Sequence, residues 1–138
     1  MRIAATIMIA AALLGAASGA WADEAPVEPT LDNAAPVVVK TEPQAGASGV
    51  AAGPAEITVT FSKPMQAGGW SWMKVTEASF PPMRGQPSYS ADQKSCTLPV
   101  TLAAGKTYAI LLGSSGSQNF TDQKGRRALP YLLVFSTK

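Results

Sequence analysis

Glu56-Ile57-Thr58-Val59-Thr60-Phe61-Ser62-Lys63-Pro64-Met65 decides the fold class. Ile57, Val59 and Phe61 alternate with Thr58 and Thr60, the period of two of a half-buried β-strand. Pro64 lacks a backbone donor and stops the ladder. Upstream, Val37-Val38-Val39 reads as a first strand, ended by Glu42-Pro43 and a stretch containing Gly46 and Gly49. Downstream, Ser71 to Thr76 reads as a third strand after Gly68-Gly69, and Pro81-Pro82 breaks the chain again. Ser88-Tyr89-Ser90 reads as a short edge strand. Cys96, Leu98 and Val100 then alternate with Thr97 and Pro99, and Pro99 marks an edge or a bulge. Tyr108, Ile110 and Leu112 form a sixth strand, and Tyr131 to Thr137 a seventh. Seven short strands separated by turn residues predict an all-β fold of two packed sheets.

The beginning of the chain has a different character. Met1-Arg2 precedes an apolar run from Ile3 to Ala17, and Ala20-Trp21-Ala22 is an A-x-A pattern followed by Asp23-Glu24. This is the arrangement of a secretory signal peptide over residues 1–22. The run is shorter than the ~20 apolar residues of a membrane span. No Cys stands near the cleavage site to carry a lipid. The expected location is therefore periplasmic or secreted, with no stable membrane insertion after cleavage. Residues 23–35 are Ala, Pro and acidic residues and read as a flexible lead-in. The ordered domain is expected over residues 36–138, without internal repeats.

The 138 residues carry 11 basic and 9 acidic side chains. Cleavage removes Arg2 and leaves the chain almost neutral, so electrostatics give no case for nucleic acid or an acidic lipid surface. Arg126-Arg127 beside Lys124 is the one basic cluster and reads as a solvated loop. The single Cys, Cys96, has no partner within the chain for a disulfide. Its place on an alternating strand predicts burial as a small hydrophobe. Val59 and Ile110 stand where antibody domains carry their inter-sheet bridge, so apolar packing has to join the sheets. Leu102-x-x-Gly105-x-x-Tyr108 puts a Tyr at the start of the sixth strand, the placement of a tyrosine corner.

Taken in order, these motifs resemble a known family. Pro43-Gln44-Ala45-Gly46-Ala47-Ser48-Gly49-Val50, the strand ending Phe61-Ser62-Lys63-Pro64-Met65, Leu102-x-x-Gly105-x-x-Tyr108, Asp122-x-x-Gly125 and the closing Phe135-Ser136-Thr137 are involved. Residues 36–138 resemble the bacterial immunoglobulin-like domains of surface-layer proteins, often called SbsA Ig-like. The resemblance implies a seven-strand-type immunoglobulin-like sandwich in an exported or cell-envelope protein, without catalytic residues or cofactors. Its partner would be a protein or glycan of the envelope.

The chemistry-bearing residues point the same way. The chain has no His, which removes His-dependent nucleophile arrangements and the commonest metal ligand. Ser71-Trp72-Met73-Lys74 matches S-x-x-K, but the partner motifs are missing. Glu56, Glu77, Asp92 and Asp122 form no recognisable acid–base constellation. Asp92-Gln93-Lys94-Ser95 and Asp122-Gln123-Lys124-Gly125 read as type I turns. The alternative, calcium held by Asn119 and Asp122, lacks the usual six to eight oxygens. Met65, Met73 and Met83 give an alternative function: a periplasmic copper carrier of CopC-like sandwich type with thioether ligands. Asn119-Phe120-Thr121 is a glycosylation sequon without evident meaning in a chain of this type.

Trp70 and Trp72 share one strand face, and Met73 and Val75 the other. Either pair could face the core, and the common buried Trp on the third strand favours Trp72 as largely buried and Trp70 near the rim. The expected contact surface is the third strand with its flanks: Trp70, Lys74 and the loop Phe80 to Pro87, which carries Phe80 and Met83 on a proline-stiffened backbone.

Overall fold

Strands form where the period-two pattern places them. β1 (Val38–Glu42), β2 (Gly53–Phe61), β3 (Trp72–Lys74), β4 (Ser88–Tyr89), β5 (Ser95–Leu102), β6 (Thr107–Leu112) and β7 (Tyr131–Ser136) are the elements. They come from a computed structural model that describes residues 27–113 and 119–138. The signal peptide expected over residues 1–22 lies outside the described residues. All strand pairs between these elements are antiparallel, in sheets of order β1-β2-β5-β4 and β3-β6-β7. This is the strand order of a seven-strand immunoglobulin-type sandwich.

The register explains the core. Ile57 pairs with Leu98 and Val59 with Cys96 in the first sheet, and Tyr108 with Phe135 and Ile110 with Leu133 in the second. All eight side chains are buried. Met65 and Phe120 close one end, the Phe120 ring lying 4.9 Å from Phe61 and 5.8 Å from Trp72. Cys96 is buried among these groups as expected. On the other face of the first sheet the pairs are polar: Thr58 and Thr97 hydroxyls are 2.9 Å apart, and Thr60 and Ser95 hydroxyls 2.8 Å.

The tyrosine corner is present. The Ala103 amide donates to the Tyr108 hydroxyl at 2.7 Å, clamping the β5–β6 turn to the strand that follows. Pro99 occupies β5 without penalty because its carbonyl, and hence its missing donor, face past the short β4; the Arg84 amide donates to that carbonyl. Gly69 is required by crowding: a Cβ there would stand 2.8 Å from the Asn119 carbonyl oxygen.

One expectation needs correction. The third strand ends at Lys74 and not at Thr76. Thr76 and Ser79 exchange backbone-to-hydroxyl bonds of 2.9 and 3.2 Å, and this local turn competes with the ladder. Within the expected lead-in, residues 30–33 form a local turn. The Thr30 amide donates to Asn33 Oδ1 at 2.8 Å, and the Asn33 amide to Thr30 Oγ1 at 3.1 Å.

Tyr108→Phe keeps the ring and deletes the acceptor for the Ala103 amide. The expected result is a loss of about 1–3 kcal/mol with an unchanged urea slope. Urea unfolding of the two proteins measures it, and equal midpoints would mean the corner contributes nothing.

Candidate functional site

The densest polar constellation lies at the end of the sandwich that β2 leaves. β2 ends at Phe61, and Lys63 lies in the bend between it and Pro64. The Asp122 loop lies alongside, through the Met65–Asp122 bridge. Lys63 Nζ donates to Asp122 Oδ2 at 3.0 Å, to the Asp32 carbonyl at 2.8 Å and to the Ala34 carbonyl at 2.9 Å. All three ammonium hydrogens therefore have acceptors, the condition for burying a Lys. Asp122 Oδ1 accepts the backbone amides of Lys124 at 2.9 Å and Arg126 at 2.8 Å. Arg126 Nη1 stands 3.7 Å from Asp122 Oδ2 and also donates to the Asp32 carbonyl. Lys124 pairs with the Asp32 carboxylate at 2.7 Å.

The electrostatics follow from this geometry. Burial by itself raises the Asp122 pKa, but the Arg126 amide, the Lys63 ammonium and the Lys124 amide outweigh it and hold the carboxyl below the usual carboxylate range. Both oxygens are committed to N–H donors and cations, the opposite of what calcium ligation needs. The Asp122 turn is present, its carbonyl accepting the Gly125 amide at 3.0 Å. The residue is thus a turn former and a buried counter-ion together. Sequence reading found the first role and missed the second; the signal was present in the two motifs carrying Lys63 and Asp122.

The residues expected to form a contact surface are placed differently from one another. Trp70 and Phe80 are half-buried and packed against the core. Lys74 is exposed and pairs with Glu77 at 2.9 Å. Met83 is 46 % exposed and bridges Val100 beside β5. Arg84 Nε donates to the Val100 carbonyl at 2.9 Å, so this loop is stitched along the free edge of β5. The four side chains do not make one apolar platform, since two of them face the core and Lys74 belongs to the other sheet.

Trp72 is the inward tryptophan, its ring set edge-on to Phe120. Its buried indole N–H has no hydrogen-bond partner within normal geometry. The Cys96 thiol is the group it approaches, and burial pushes that thiol up to about 12 against this small opposing effect. A thiol so placed is inert.

The three thioethers weighed as copper ligands occupy different surroundings. Met65 is buried at the Asp122 end, Met73 sits on β3 of the three-stranded sheet, and Met83 lies beside β5 of the other. They make no common pocket.

One surface escaped the sequence reading. Met73 pairs with Leu111, and Leu111 with Leu132, a row across all three strands of the second sheet. Met73 is 40 % and Leu132 53 % exposed, with Leu111 half-buried between them. Ala109 and Val134 pair on the same face. The signal was the continuous apolar runs Tyr108 to Leu112 and Tyr131 to Phe135, which supply apolar groups to both faces of a sheet. No helix among the described residues is long and apolar enough to cross a membrane.

The buried pair has a measurable consequence. The Asp122 folded-state pKa is depressed below its unfolded value of about 3.9. Its stabilisation is therefore full above that value and is lost as pH falls through the folded value. Asp122→Asn is expected to cost about 3 kcal/mol at pH 7, the lower end for breaking a buried pair, because Lys63 keeps two carbonyls. The gap to the wild type should close below about pH 4. Urea midpoints of both proteins between pH 2 and 7 check this, and a gap independent of pH would refute it.

No curated protein matches the chain. Among solved structures, a crystal structure of the S-layer protein rSbsC is similar at 23 % identity and a TM-score of 0.47, covering 75 % of this chain and 14 % of that one. A structure of domains 1-6 of the surface layer protein SbsC is similar at 21 % identity and a TM-score of 0.48, with the same coverages. The chain thus spans about one-seventh of the length of either protein. A family model described as bacterial Ig-like domain matches residues 32–137, most of the chain, so the chain belongs to the bacterial Ig-like domain family.

Proposed function

We propose that this protein is an exported, non-catalytic immunoglobulin-like module of the bacterial cell envelope that acts by contact with another envelope protein. The narrower likeness to the SbsA type rests on the order of the sequence motifs. Family membership supports the structural class. The commitments of the reactive groups support the absence of catalysis: the Asp122 carboxylate, the Tyr108 hydroxyl and the Cys96 thiol are each built into the fold. Export rests on the signal pattern of residues 1–22.

The observation that carries the contact reading is the apolar row Met73, Leu111 and Leu132 on the outer face of the second sheet. The equivalent face of the first sheet is lined by hydroxyls and needs no cover. An apolar row with few hydrogen-bonding groups suits a protein surface better than a sugar, which needs polar partners and aromatic stacking. Trp70 and Trp72 pack on the core and are not available as a stacking platform. Trp70, Lys74, Phe80 and Met83, the surface expected from sequence, therefore yield this role to Met73, Leu111 and Leu132.

Capture from the envelope fraction of the source bacterium tests the reading. Met73→Ser with Leu132→Ser should abolish capture of the proteins held by the wild type, with a melting temperature within a few degrees. Lys40→Ser on β1, away from this face, should leave capture intact. Trp70→Ser should lower the melting temperature clearly, as burial against the core requires. Identical capture by the wild type and the Met73/Leu132 variant would remove this face from consideration.

A further inference from the structure

Residues 30–34 lie across the Lys63 end of the sandwich like a strap, and the way they are held is unusual for part of a fold. The strap contributes no strand to either sheet. Its large apolar residue, Leu31, is 73 % exposed, and Val27 just before it is 80 % exposed. No large apolar side chain of the strap is buried to fasten it, although Ala34 is half-buried and the buried Pro36 follows. Instead the Asp32 carbonyl accepts from Lys63 and Arg126, the Ala34 carbonyl from Lys63, and the Asp32 carboxylate from Lys124. Every contact from domain to strap among these is a cationic side chain gripping a peptide carbonyl or a carboxylate. The Asn33 and Ala34 amides are bonded only within the strap's own turn, to Thr30, and a turn this short keeps those bonds only while the domain grips it.

Beside the strap is a cavity of about 430 Å³, lined in part by Leu31, Asp32, Lys63, Lys94, Asp122 and Lys124. With the strap set aside, this end presents Lys63, Lys94, Lys124 and Arg126. The facing carboxylates are Asp122, already enclosed by its donors, and Asp92, which lies within electrostatic reach of Lys94. Cations outnumber carboxylates two to one there. The Asp32 carboxylate supplies the missing negative charge, and the carbonyls of Asp32 and Ala34 fill the remaining ammonium hydrogens of Lys63.

We propose that this cationic end is a receptor for an acidic peptide segment and that residues 30–34 are its displaceable, built-in occupant. The ligand class is read from the occupant: an aspartate flanked by carbonyls two residues apart, presented on a tight turn. Competition is governed by effective concentration. A tethered strap faces a free peptide at a local concentration in the millimolar range, so the site is closed in the isolated protein and opens when the strap is weakened or the competitor is multivalent. Because the hold is charge-based and exposed at Lys124 and Asp32, salt weakens it. This proposal is independent of the apolar face of the second sheet, which lies on other residues.

The test uses the full chain. Asp32→Lys should raise hydrogen exchange at the Asn33 and Ala34 amides by about fivefold or more, as loss of an exposed charge contact plus repulsion implies. The charge-swapped pair Asp32→Lys with Lys124→Glu should restore slow exchange, which a simple loss of packing would not. A fluorescent peptide with the sequence of residues 27–36 should then bind the Asp32→Lys protein in low salt and not the wild type. It should fail to bind the charge-swapped protein. Unchanged strap exchange in Asp32→Lys would show that the strap is a fixed part of the domain and overturn the proposal. Free strap exchange without peptide capture would show that the end is no receptor and overturn it equally.

Discussion

Two sheets with no covalent link are held face to face by the burial of apolar side chains between them. Cys96 stands in the core, paired with Val59 and approached by Trp72, but has no second cysteine. Burying each Ile, Leu, Val or Phe supplies about 1.5–3 kcal/mol, and the register sets Ile57, Val59 and Phe61 against Ile110, Leu112, Leu133 and Phe135. Phe120, from the β6–β7 connection, fills the end between Phe61 and Trp72. The positions that carry a bridge in antibody domains can therefore be aliphatic, because dispersion and water exclusion do the work of the cross-link.

Where the chain leaves this core, polar groups have to be satisfied individually. The tyrosine corner does so at one turn by giving the Ala103 amide an acceptor. Lys63 and Asp122 do so at the opposite motif, with every ammonium hydrogen and both carboxylate oxygens engaged. A buried pair of this kind adds little net stability over apolar groups of the same size, but losing either member leaves a buried charge. Completing the set takes the Asp122 carboxylate together with two carbonyl acceptors, which residues 32 and 34 supply.

The two outer faces differ for a reason visible in the strands. β2 and β5 put Thr58, Thr60, Ser95 and Thr97 outward, where their hydroxyls bond one another. β6 and β7 are apolar at nearly every position and leave a row of thioether and leucine groups in solvent. An exposed apolar row of this kind is the feature on which the proposed contact role rests. The charged end and the apolar face are chemically unlike, so each would select a different kind of partner.

Most of the fold was legible in the sequence, because alternation in β2, β5 and β6 directly encodes which side chains are buried. Tyr108, Val59, Ile110 and Cys96 took the places their spacing implied. The ambiguity of Trp70 and Trp72 was real at sequence level, since one residue of register decides which face turns inward. Pairing of Trp72 with Leu112 settled it. The contact between Lys63 and Asp122, 59 residues apart, was not legible: each residue had a sufficient local reading, as a strand end and as a turn. The strap over residues 30–34 was hidden for the same reason, because composition reports the lack of apolar anchors and not the carbonyls that Lys63 grips. The strands, the core and the corner could be read from the chain because they depend on local periodicity. The buried ion pair, the strap and the exposed apolar row emerge only on folding, because they depend on what distant segments bring within a few ångströms of one another.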